Sequence, residues 1–351
     1  MTDASTAAAQ RPDYFTPARL WIKGENFVQC RLCAHYCRIK PNLSGNCGVR
    51  ANFGGELFTA VGNSLAAINI DPVEKKPLFH FLPGSKTFSV GSPGCNFHCK
   101  FCQNSGISQI PGAVNIQQRN LGSKVTPQGL VAAAIENKTA SISYTYNEPT
   151  VFFELMQATA EAAGRHGLRN IMVSNGYMSA ECFDSLKDLI QAANFDLKAF
   201  SADFYKNICG GRLNPVLRTL KAALRQGWWI ELTTLVISEV NDRREELDAL
   251  AAFIAGELGP DVPWHVSRFR PAYLMRNTPA TRIASLERAL ESGKKHGLKY
   301  VYVGNLPGHS SENTFCPSCG LTVLERVGFN TRVKGLGVCP ECQTKIAGVW
   351  I

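Results

Sequence analysis

The chain has 351 residues, 45% of them hydrophobic and 19% charged, which is enough apolar material for one large or two smaller domains. No run reaches the roughly 18 consecutive apolar residues of a membrane span, and residues 1–15 lack the basic and apolar segments of a secretory signal, so we expect a cytoplasmic protein. The formal net charge of +9 allows a polyanionic partner.

The first motif along the chain is a group of four of the 13 cysteines, spaced C-x2-C-x3-C-x9-C. An odd cysteine count without a secretory signal favours thiolate chemistry in a reducing compartment over disulfides. Four cysteines this close rarely serve packing alone, so we predict a metal site, and zinc and an auxiliary [4Fe–4S] cluster are both compatible with it. The ligands would be Cys30, Cys33, Cys37 and Cys47. We assign residues 1–85 to an N-terminal cysteine-rich segment.

From about residue 86 the sequence alternates short β-branched or aromatic runs with longer helical patterns. The predicted strands are Thr87–Val90, Ser141–Tyr146, Asn170–Ser174, Asn194–Lys198, Trp229–Ile237 and Trp264–Phe269, with a seventh at Tyr300–Val303. The predicted helices are Gln128–Lys138, Pro149–His166, Ala180–Gln191, Asn214–Gln226, Arg243–Leu258 and Thr281–His296. Such repeats predict βαβ units and a parallel sheet, and the six or seven units are too few for a closed eight-stranded barrel. We therefore expect an α/β fold, a partial (β/α)6 TIM-like barrel over residues 86–305, with its chemistry at the carboxyl ends of the strands.

Three cysteines follow directly on the first predicted barrel strand: Cys95, Cys99 and Cys102. Three thiolates on one loop can hold three irons of a [4Fe–4S] cube, which leaves the fourth iron open to a substrate or cofactor. The alternative is three unrelated core cysteines. The two cysteines outside any cluster, Cys182 and Cys209, are predicted to be small buried hydrophobes.

The pattern C-x3-C-x-aromatic-C, in which Phe101 is the aromatic residue, resembles the radical S-adenosylmethionine (SAM) superfamily. The resemblance implies that SAM chelates the open iron and that a low-potential donor supplies an electron to the cluster. It further implies that SAM is cleaved to methionine and a 5′-deoxyadenosyl radical, which abstracts hydrogen from a substrate. The protein would bind, orient and shield these groups.

Two later strand ends carry further landmarks of this resemblance. Tyr144–Pro149 stands where the superfamily places a Gly-Gly-Glu-Pro stretch that contacts the SAM amino group, which implies that Asn147 and Glu148 bind the cofactor. Glu148 alone would also be explained as a carboxylate favoured at a helix N-terminus. Ser174 and Asn175 are similar to a cofactor-binding segment of the pyruvate formate-lyase activating enzymes.

The next strands continue the pattern. Asp196 and Lys198 are similar to an Asp-x-Lys pair that lies beside SAM, and strand alternation places both on one face. A plain internal ion pair is the alternative. Thr234 and Val236 match a region that flanks adenine, and His265 lies in an element similar to one whose histidine approaches SAM. A lone histidine is nevertheless more often an ordinary core residue.

The last cysteines form two C-x2-C knuckles: Cys316, Cys319, Cys339 and Cys342. Paired knuckles favour a closed tetrahedral structural site, with zinc preferred and rubredoxin-like iron as the alternative. We predict that residues 306–351 form a zinc-ribbon-like tail that depends on its metal to fold.

Longer phrases narrow the resemblance to the radical SAM component of the AmmeMemoRadiSam system. They are Cys30–Arg50, Asp71–Gly84, Ser143–Thr150, Asn313–Gly320 and Gly348–Trp350. The resemblance implies a shared pathway with an AMME-domain protein and a Memo-like protein, and it leaves the substrate open. One rival hypothesis is a glycyl-radical activase of the pyruvate formate-lyase activating type. The other is a metal-containing nucleic-acid-binding protein, which the sparse cations and aromatics of the tail do not favour.

Overall fold

The structure of the chain is a computed structural model and describes residues 11–112, 121–306, 308 and 310–350. In chain order, the strands are β1 (Thr16–Pro17), β2 (Trp21–Lys23), β3 (Val28–Cys30), β4 (Arg38–Ile39), β5 (Arg50–Phe53), β6 (Glu56–Thr59), β7 (Ser64–Leu65), β8 (Ala67–Pro72), β9 (Lys86–Gly91), β10 (Ser123–Lys124), β11 (Ser141–Tyr144), β12 (Arg169–Ser174), β13 (Ala192–Asp196), β14 (Trp229–Val236), β15 (Trp264–Arg268), β16 (Val301–Gly304), β17 (Thr314–Phe315), β18 (Thr322–Val327) and β19 (Asn330–Val333).

The α-helices are α1 (Ser105–Ser108), α2 (Pro127–Glu136), α3 (Phe153–Arg165), α4 (Ala180–Leu186), α5 (Ala202–Phe204), α6 (Leu213–Gln226), α7 (Arg244–Phe253) and α8 (Ile283–Lys295). Short 3-10 segments lie at Val73–Lys75, Pro149–Phe152, Tyr273–Met275 and Ser310–Glu312, and π-helical segments at Tyr205–Cys209 and Ile254–Leu258. Every helix in the described part of the chain is too short or too polar to cross a bilayer.

The centre of the molecule is one large sheet with the order β16-β15-β14-β13-β12-β11-β9-β8. From β9 to β16 each strand is parallel to its neighbour, and β8 is antiparallel to β9. Six strand–helix units, followed by a seventh strand, therefore make a partial barrel wound in one direction. The predicted fold class is confirmed. β8, which the predicted boundary assigns to the N-terminal segment, is hydrogen-bonded into this sheet.

Local sequence signals set the helix boundaries. The Oγ1 of Thr126 accepts the N–H of Gly129 at 3.1 Å, and Pro127 stands in the first turn of α2, where no N–H is needed. α6 ends at Gln226 and is capped by Gly227, whose φ of 87° lies in the left-handed region that favours glycine. α4 ends at Leu186, earlier than predicted, because the chain must turn before β13 begins at Ala192.

Residues 77–81, here called the floor segment, pass under the barrel near the amino ends of β14 and β15. The backbone N–H groups of Phe79 and His80 donate to the carboxylate of Glu231 on β14, at 3.0 and 2.8 Å. The Nε2 of His265 on β15 lies 2.7 Å from the same carboxylate. Glu231 is fully buried, so these bonds replace the water that its charge would otherwise require.

We expect Glu231→Gln to destabilise the fold by about 3–5 kcal/mol at neutral pH, because it breaks a buried charged network. The hydrogen bond and charge of His265 hold the pKa of Glu231 below its ordinary value of 4.5 even though burial raises it. A carboxyl whose pKa is lower in the folded than in the unfolded state stabilises the folded protein at pH values above its unfolded pKa. This stabilisation is lost as the pH falls through the pKa of the folded state. Denaturant unfolding should therefore show that the difference in free energy of unfolding between wild type and Glu231→Gln becomes smaller as the pH is lowered.

The matched control is Glu246→Gln. This half-buried carboxylate accepts one backbone N–H, from Phe200 at 3.0 Å, and burial raises its pKa. Because a raised folded pKa means that protonation stabilises the folded state, acidification should shift the comparison in favour of wild type, opposite to the shift expected for Glu231→Gln. A Glu231→Gln difference that stays constant from neutral to acidic pH would contradict the role assigned to the ionised carboxylate.

The C-terminal tail packs beneath the floor segment. Val349 donates its N–H to the carbonyl of His80 at 2.7 Å, and Leu82 donates to the carbonyl of Val349 at 2.8 Å. Arg326 is buried, donates to the carbonyl of Phe79 at 2.8 Å and places its guanidinium 4.1 Å from the Phe79 ring centre. This arginine therefore anchors the tail and does not contribute to a basic surface.

Candidate active site

The loop that carries Cys95, Cys99 and Cys102 follows β9 at the carboxyl end of the barrel strands. Its backbone is held by the segment after β13: His98 N–H donates to the carbonyl of Cys209 at 2.8 Å, and Lys100 N–H to that of Ile208 at 3.0 Å. The Phe97 ring covers Gly211 so closely that a Cβ there would lie 2.2 Å from it. These contacts fix the loop in one place over the barrel mouth.

The three sulfurs of this loop are too widely spread for a single metal ion. A tetrahedral ion with 2.3 Å bonds needs sulfurs about 3.8 Å apart. Within the described residues, only the C-terminal tetrad brings three or more ligand atoms within 4.8 Å of one another. A [4Fe–4S] cube takes each thiolate on a different iron, so it requires a wider spread. The spread of Cys95, Cys99 and Cys102 therefore argues against one shared ion and accords with such a cube.

A partly buried ion pair faces the loop. The Nζ of Lys198 lies 3.1 Å from Oδ2 of Asp196 and 5.6 Å from the ring centre of Phe101. Burial lowers the pKa of Lys198, but the Asp196 charge more than compensates, so this pKa is raised. The ion-pair alternative for these residues is thus present, and Asp196 remains about one-third exposed to a ligand.

Cys209, expected to be only a core hydrophobe, lies against the loop. Its hydrogen bond to Cys99, together with the charge of Lys198, lowers the pKa of the Cys99 thiol. No sequence signal indicates this contact, because Cys209 lies far along the chain in a π-helical segment without a cysteine pattern.

Asn147 holds the turn that leads into the cysteine loop. Its Nδ2 donates to the carbonyls of Ser92 and Gly94, while its Oδ1 is buried without a partner within the described chain. The preceding Tyr146 has a φ of 73°, in the left-handed region where a glycine would be unstrained. An orphaned buried acceptor indicates a donor that the protein itself does not supply.

The carboxylate of Glu148 joins the ends of β11 and β12. It accepts bonds from the N–H and Oγ1 of Thr150 at 3.0 and 2.5 Å, from Oγ of Ser174 at 2.9 Å and from the N–H of Asn175 at 2.8 Å. Burial raises its pKa despite these donors. Asn175 in turn donates from Nδ2 to Oδ1 of Asn96, beside Cys95, at 2.7 Å. These predicted residues therefore form one network with the cysteine loop.

Three other predicted cofactor residues lie apart from this network. The Oγ1 of Thr234 donates to the carbonyl of Leu197 and accepts from Trp264 Nε1, and Val236 is fully buried on the same strand face. Their side chains are therefore used in packing, and contact with adenine would have to come from backbone. His265 is bonded to Glu231 at the floor segment, so this geometry does not support its predicted approach to SAM.

The C-terminal cysteines form a compact four-sulfur site. The Sγ–Sγ distances are 3.5 Å between Cys316 and Cys342 and 3.6 Å between Cys319 and Cys339, and all four sulfurs lie within 4.8 Å. These distances match the edge of a tetrahedron around one ion, about 3.8 Å for zinc. The site therefore suits a single tetrahedral metal.

Comparisons with known proteins agree with this geometry. Residues 89–253 match the radical SAM superfamily. Uncharacterized protein MJ0808 of Methanocaldococcus jannaschii is 42% identical over 326 residues, 92% of this chain and 96% of the relative. A probable GTP 3′,8-cyclase of Metallosphaera sedula is 28% identical over 188 residues, 52% of this chain and 55% of that protein.

Among solved structures, a domain of pyruvate-formate lyase-activating enzyme from Bacteroides vulgatus ATCC 8482 superposes with a TM-score of 0.42. The sequence identity is 13%, and the match covers 47% of this chain and 99% of that domain. With three thiols on the loop after the first barrel strand and a family match spanning that loop, the chain belongs to the radical SAM superfamily and is a radical SAM enzyme.

Proposed function

We propose that this enzyme reductively cleaves SAM at a [4Fe–4S] cluster bound by Cys95, Cys99 and Cys102 and abstracts hydrogen from a substrate. The observation that carries the proposal is the wide three-thiol loop at the carboxyl end of a parallel barrel, with the Asp196–Lys198 pair facing it. When bound, the cluster and SAM supply an electron and a 5′-deoxyadenosyl radical. The chain's own residues bind and orient these groups.

The polar residues of the network have distinct proposed roles. The unpartnered Oδ1 of Asn147 accepts from the SAM ammonium, and the buried negative charge of Glu148 favours that cation from behind. The Lys198 ammonium pairs with the SAM carboxylate, while Asp196 accepts from a ribose hydroxyl. Ser174 and Asn175 hold Glu148 in place.

Further parts of the proposal concern metals, donor and compartment. The compact tail site binds zinc, because its sulfur spacing fits a closed tetrahedral ion, and the N-terminal cysteines hold a second metal centre. All 13 thiols are free in the structure, which suits the reducing cytoplasm. Reductive cleavage of SAM takes one electron, so we assign the protein a low-potential one-electron donor protein as a partner.

We also place the chain in the AmmeMemoRadiSam system, with an AMME-domain protein and a Memo-like protein as partners. Sequence phrases support this placement. One of them, Asp71–Gly84, supplies the floor segment and a buried pair in which Lys76 Nζ lies 2.6 Å from Asp71 Oδ2. Co-purification of the three proteins tests this placement, and their failure to co-purify would count against it.

A second candidate function is activation of a glycyl-radical enzyme. It is favoured by the positions of Ser174, Asn175 and the Asp196–Lys198 pair, which resemble those activases and adjoin the cysteine loop. The reduced protein, SAM and pyruvate formate-lyase should then give an organic radical by electron paramagnetic resonance (EPR). Absence of that radical would count against this candidate while leaving SAM cleavage untouched.

The EPR signal of the reduced catalytic cluster tests the main proposal. Adding SAM to the reduced protein should change the g-values, because SAM replaces the ligand at the open iron. A signal that is unchanged at saturating SAM would contradict an open coordination site.

Asn147→Ala is expected to weaken SAM binding by about tenfold or more, since a hydrogen bond to a charged group contributes about 1.5–3 kcal/mol. The measurement is a titration of SAM at matched iron content. Asn137→Ala, an exposed residue at the end of α2, is the control and should bind as wild type. Equal affinities for both variants would remove Asn147 from the cofactor site.

A further inference from the structure

The four N-terminal cysteines converge on one small cavity. Its lining includes all four, Cys30, Cys33, Cys37 and Cys47, together with Arg50. Spacing in the sequence leaves open whether the four thiols share one site, because 17 positions of chain separate the first from the last. The common cavity joins them, and it is walled on the barrel side by Asn96 and Thr150.

The spread of these sulfurs distinguishes the two metals that the spacing allows. In the described chain, no three of the N-terminal sulfurs all lie within 4.8 Å of one another, whereas the four tail sulfurs do. A single tetrahedral ion would need sulfurs about 3.8 Å apart. Like the catalytic triplet, the N-terminal set is therefore not gathered around one ion, as expected for a cube with one thiolate on each iron.

The charge at the cavity suits an anionic metal centre, and since zinc with four thiolates carries the same formal charge as a cube, the choice between them rests on the sulfur spread. An oxidised [4Fe–4S] cube with four thiolates is formally a dianion. Arg50, fully buried, places Nη1 3.3 Å from the sulfur of Cys30, and its Nε is buried without a partner within the described residues. Glu154 engages only the other side of the guanidinium, through Nη2. A buried donor at the cavity wall is thus available to an anionic group.

The cavity lies directly behind the catalytic loop. Gly94, just before Cys95, approaches the Cys47 carbonyl so closely that a Cβ at Gly94 would lie 2.8 Å from it. On the other side of Cys95, the carbonyl of Asn96 lies 2.7 Å from Nε2 of His35. Both neighbours of one catalytic ligand therefore contact the N-terminal cysteine segment.

We propose that Cys30, Cys33, Cys37 and Cys47 bind a second [4Fe–4S] cluster, beside the catalytic one and with Arg50 as its charge partner. Each of its irons carries a thiolate, so this cluster is redox-active but does not bind SAM. The catalytic role of the neighbouring cluster rests on the proposed function. The existence of the second cluster does not depend on that function.

The test compares two variants after anaerobic reconstitution with iron and sulfide. The triplet variant, C95A/C99A/C102A, should retain about four irons and the quartet variant, C33A/C37A, about four, against about eight in wild type. Mössbauer spectra of the triplet variant should show a [4Fe–4S] cube. SAM should leave its reduced EPR signal unchanged, but should alter that of the quartet variant.

Cys182→Ala is the matched control, since it removes a fully buried thiol outside the clusters and should keep about eight irons. Reduced wild type should also show a broader EPR signal than the sum of the two variants, because adjacent spins interact. The proposal would be overturned if the triplet variant contained no iron and held one zinc in addition to the zinc of the tail site. This outcome can be read from the triplet variant alone, even if the quartet variant fails to fold. If SAM alters no signal, the proposed function fails while the iron count still decides this inference.

Discussion

Cys99→Ala should abolish SAM cleavage and lower the iron content by about four per chain, because a cube held by two thiolates does not survive purification. Cys99 is the most enclosed of the three loop thiols, and its pKa is lowered by the hydrogen bond with Cys209 and by the Lys198 charge. The fold itself should lose only about 1 kcal/mol, typical of a small core truncation. Iron analysis, product chromatography and thermal unfolding of the same sample measure the three effects.

Cys182→Ala controls for the loss of a buried thiol, because Cys182 lies in α4, away from the loop. It should keep both iron and activity. If Cys99→Ala still cleaves SAM with full iron, the loop does not bind the catalytic cluster. If both variants lose iron alike, the effect comes from misfolding and the assignment of the ligand fails.

The second large effect is expected from Cys339→Ser in the tail. Metal binding supplies much of the folding free energy of such a small cysteine site, so the tail should lose its metal and its order. Its bonds to the floor segment would be lost as well, among them the 2.6 Å contact between His80 Nδ1 and the carbonyl of Ala347. We expect loss of about one zinc per chain and rapid proteolysis after residue 334, read by mass spectrometry.

Ser318 lies in the first knuckle of the same four-sulfur site, between Cys316 and Cys319, is exposed and contributes no ligand, so Ser318→Ala serves as the control. It should keep the metal and resist protease. A Cys339→Ser protein with an intact, protected tail would show that the four sulfurs are not a structural metal site.

Much of the barrel could be predicted from sequence because its elements carry local signals. Trp229–Val236 reads as a strand from its apolar and β-branched residues, and Thr126 and Pro127 mark a helix start by capping chemistry alone. The compact tail site could also be predicted, since two knuckles of fixed spacing bring four sulfurs together. In each case the interacting residues are close in sequence or follow a repeated pattern.

The floor of the barrel could not be predicted, because it depends on partners far apart in the chain. The carboxylate of Glu231 binds backbone N–H groups about 150 positions earlier, and it also engages His265. A histidine in a familiar element thus takes a structural partner that no local pattern reveals.

At the candidate site, the sequence indicated the strand ends but not the directions of side chains. The free Oδ1 of Asn147, the closeness of Cys209 to Cys99 and the position of Asn96 between two cysteine groups are tertiary features. Part of the positive net charge lies inside the protein, since Arg50 and Arg326 are both buried. Neither arginine therefore supplies a surface for nucleic acid.

Formation of 5′-deoxyadenosine reports directly on reductive cleavage of SAM by the cysteine loop. Anaerobically reconstituted protein, with its iron and sulfide quantified, is reduced with dithionite in the presence of SAM, and the products are separated by chromatography. We predict 5′-deoxyadenosine and methionine in equal amounts, dependent on the reductant and absent from the Cys99→Ala variant. An intact, reducible [4Fe–4S] cluster that yields no 5′-deoxyadenosine would contradict the account.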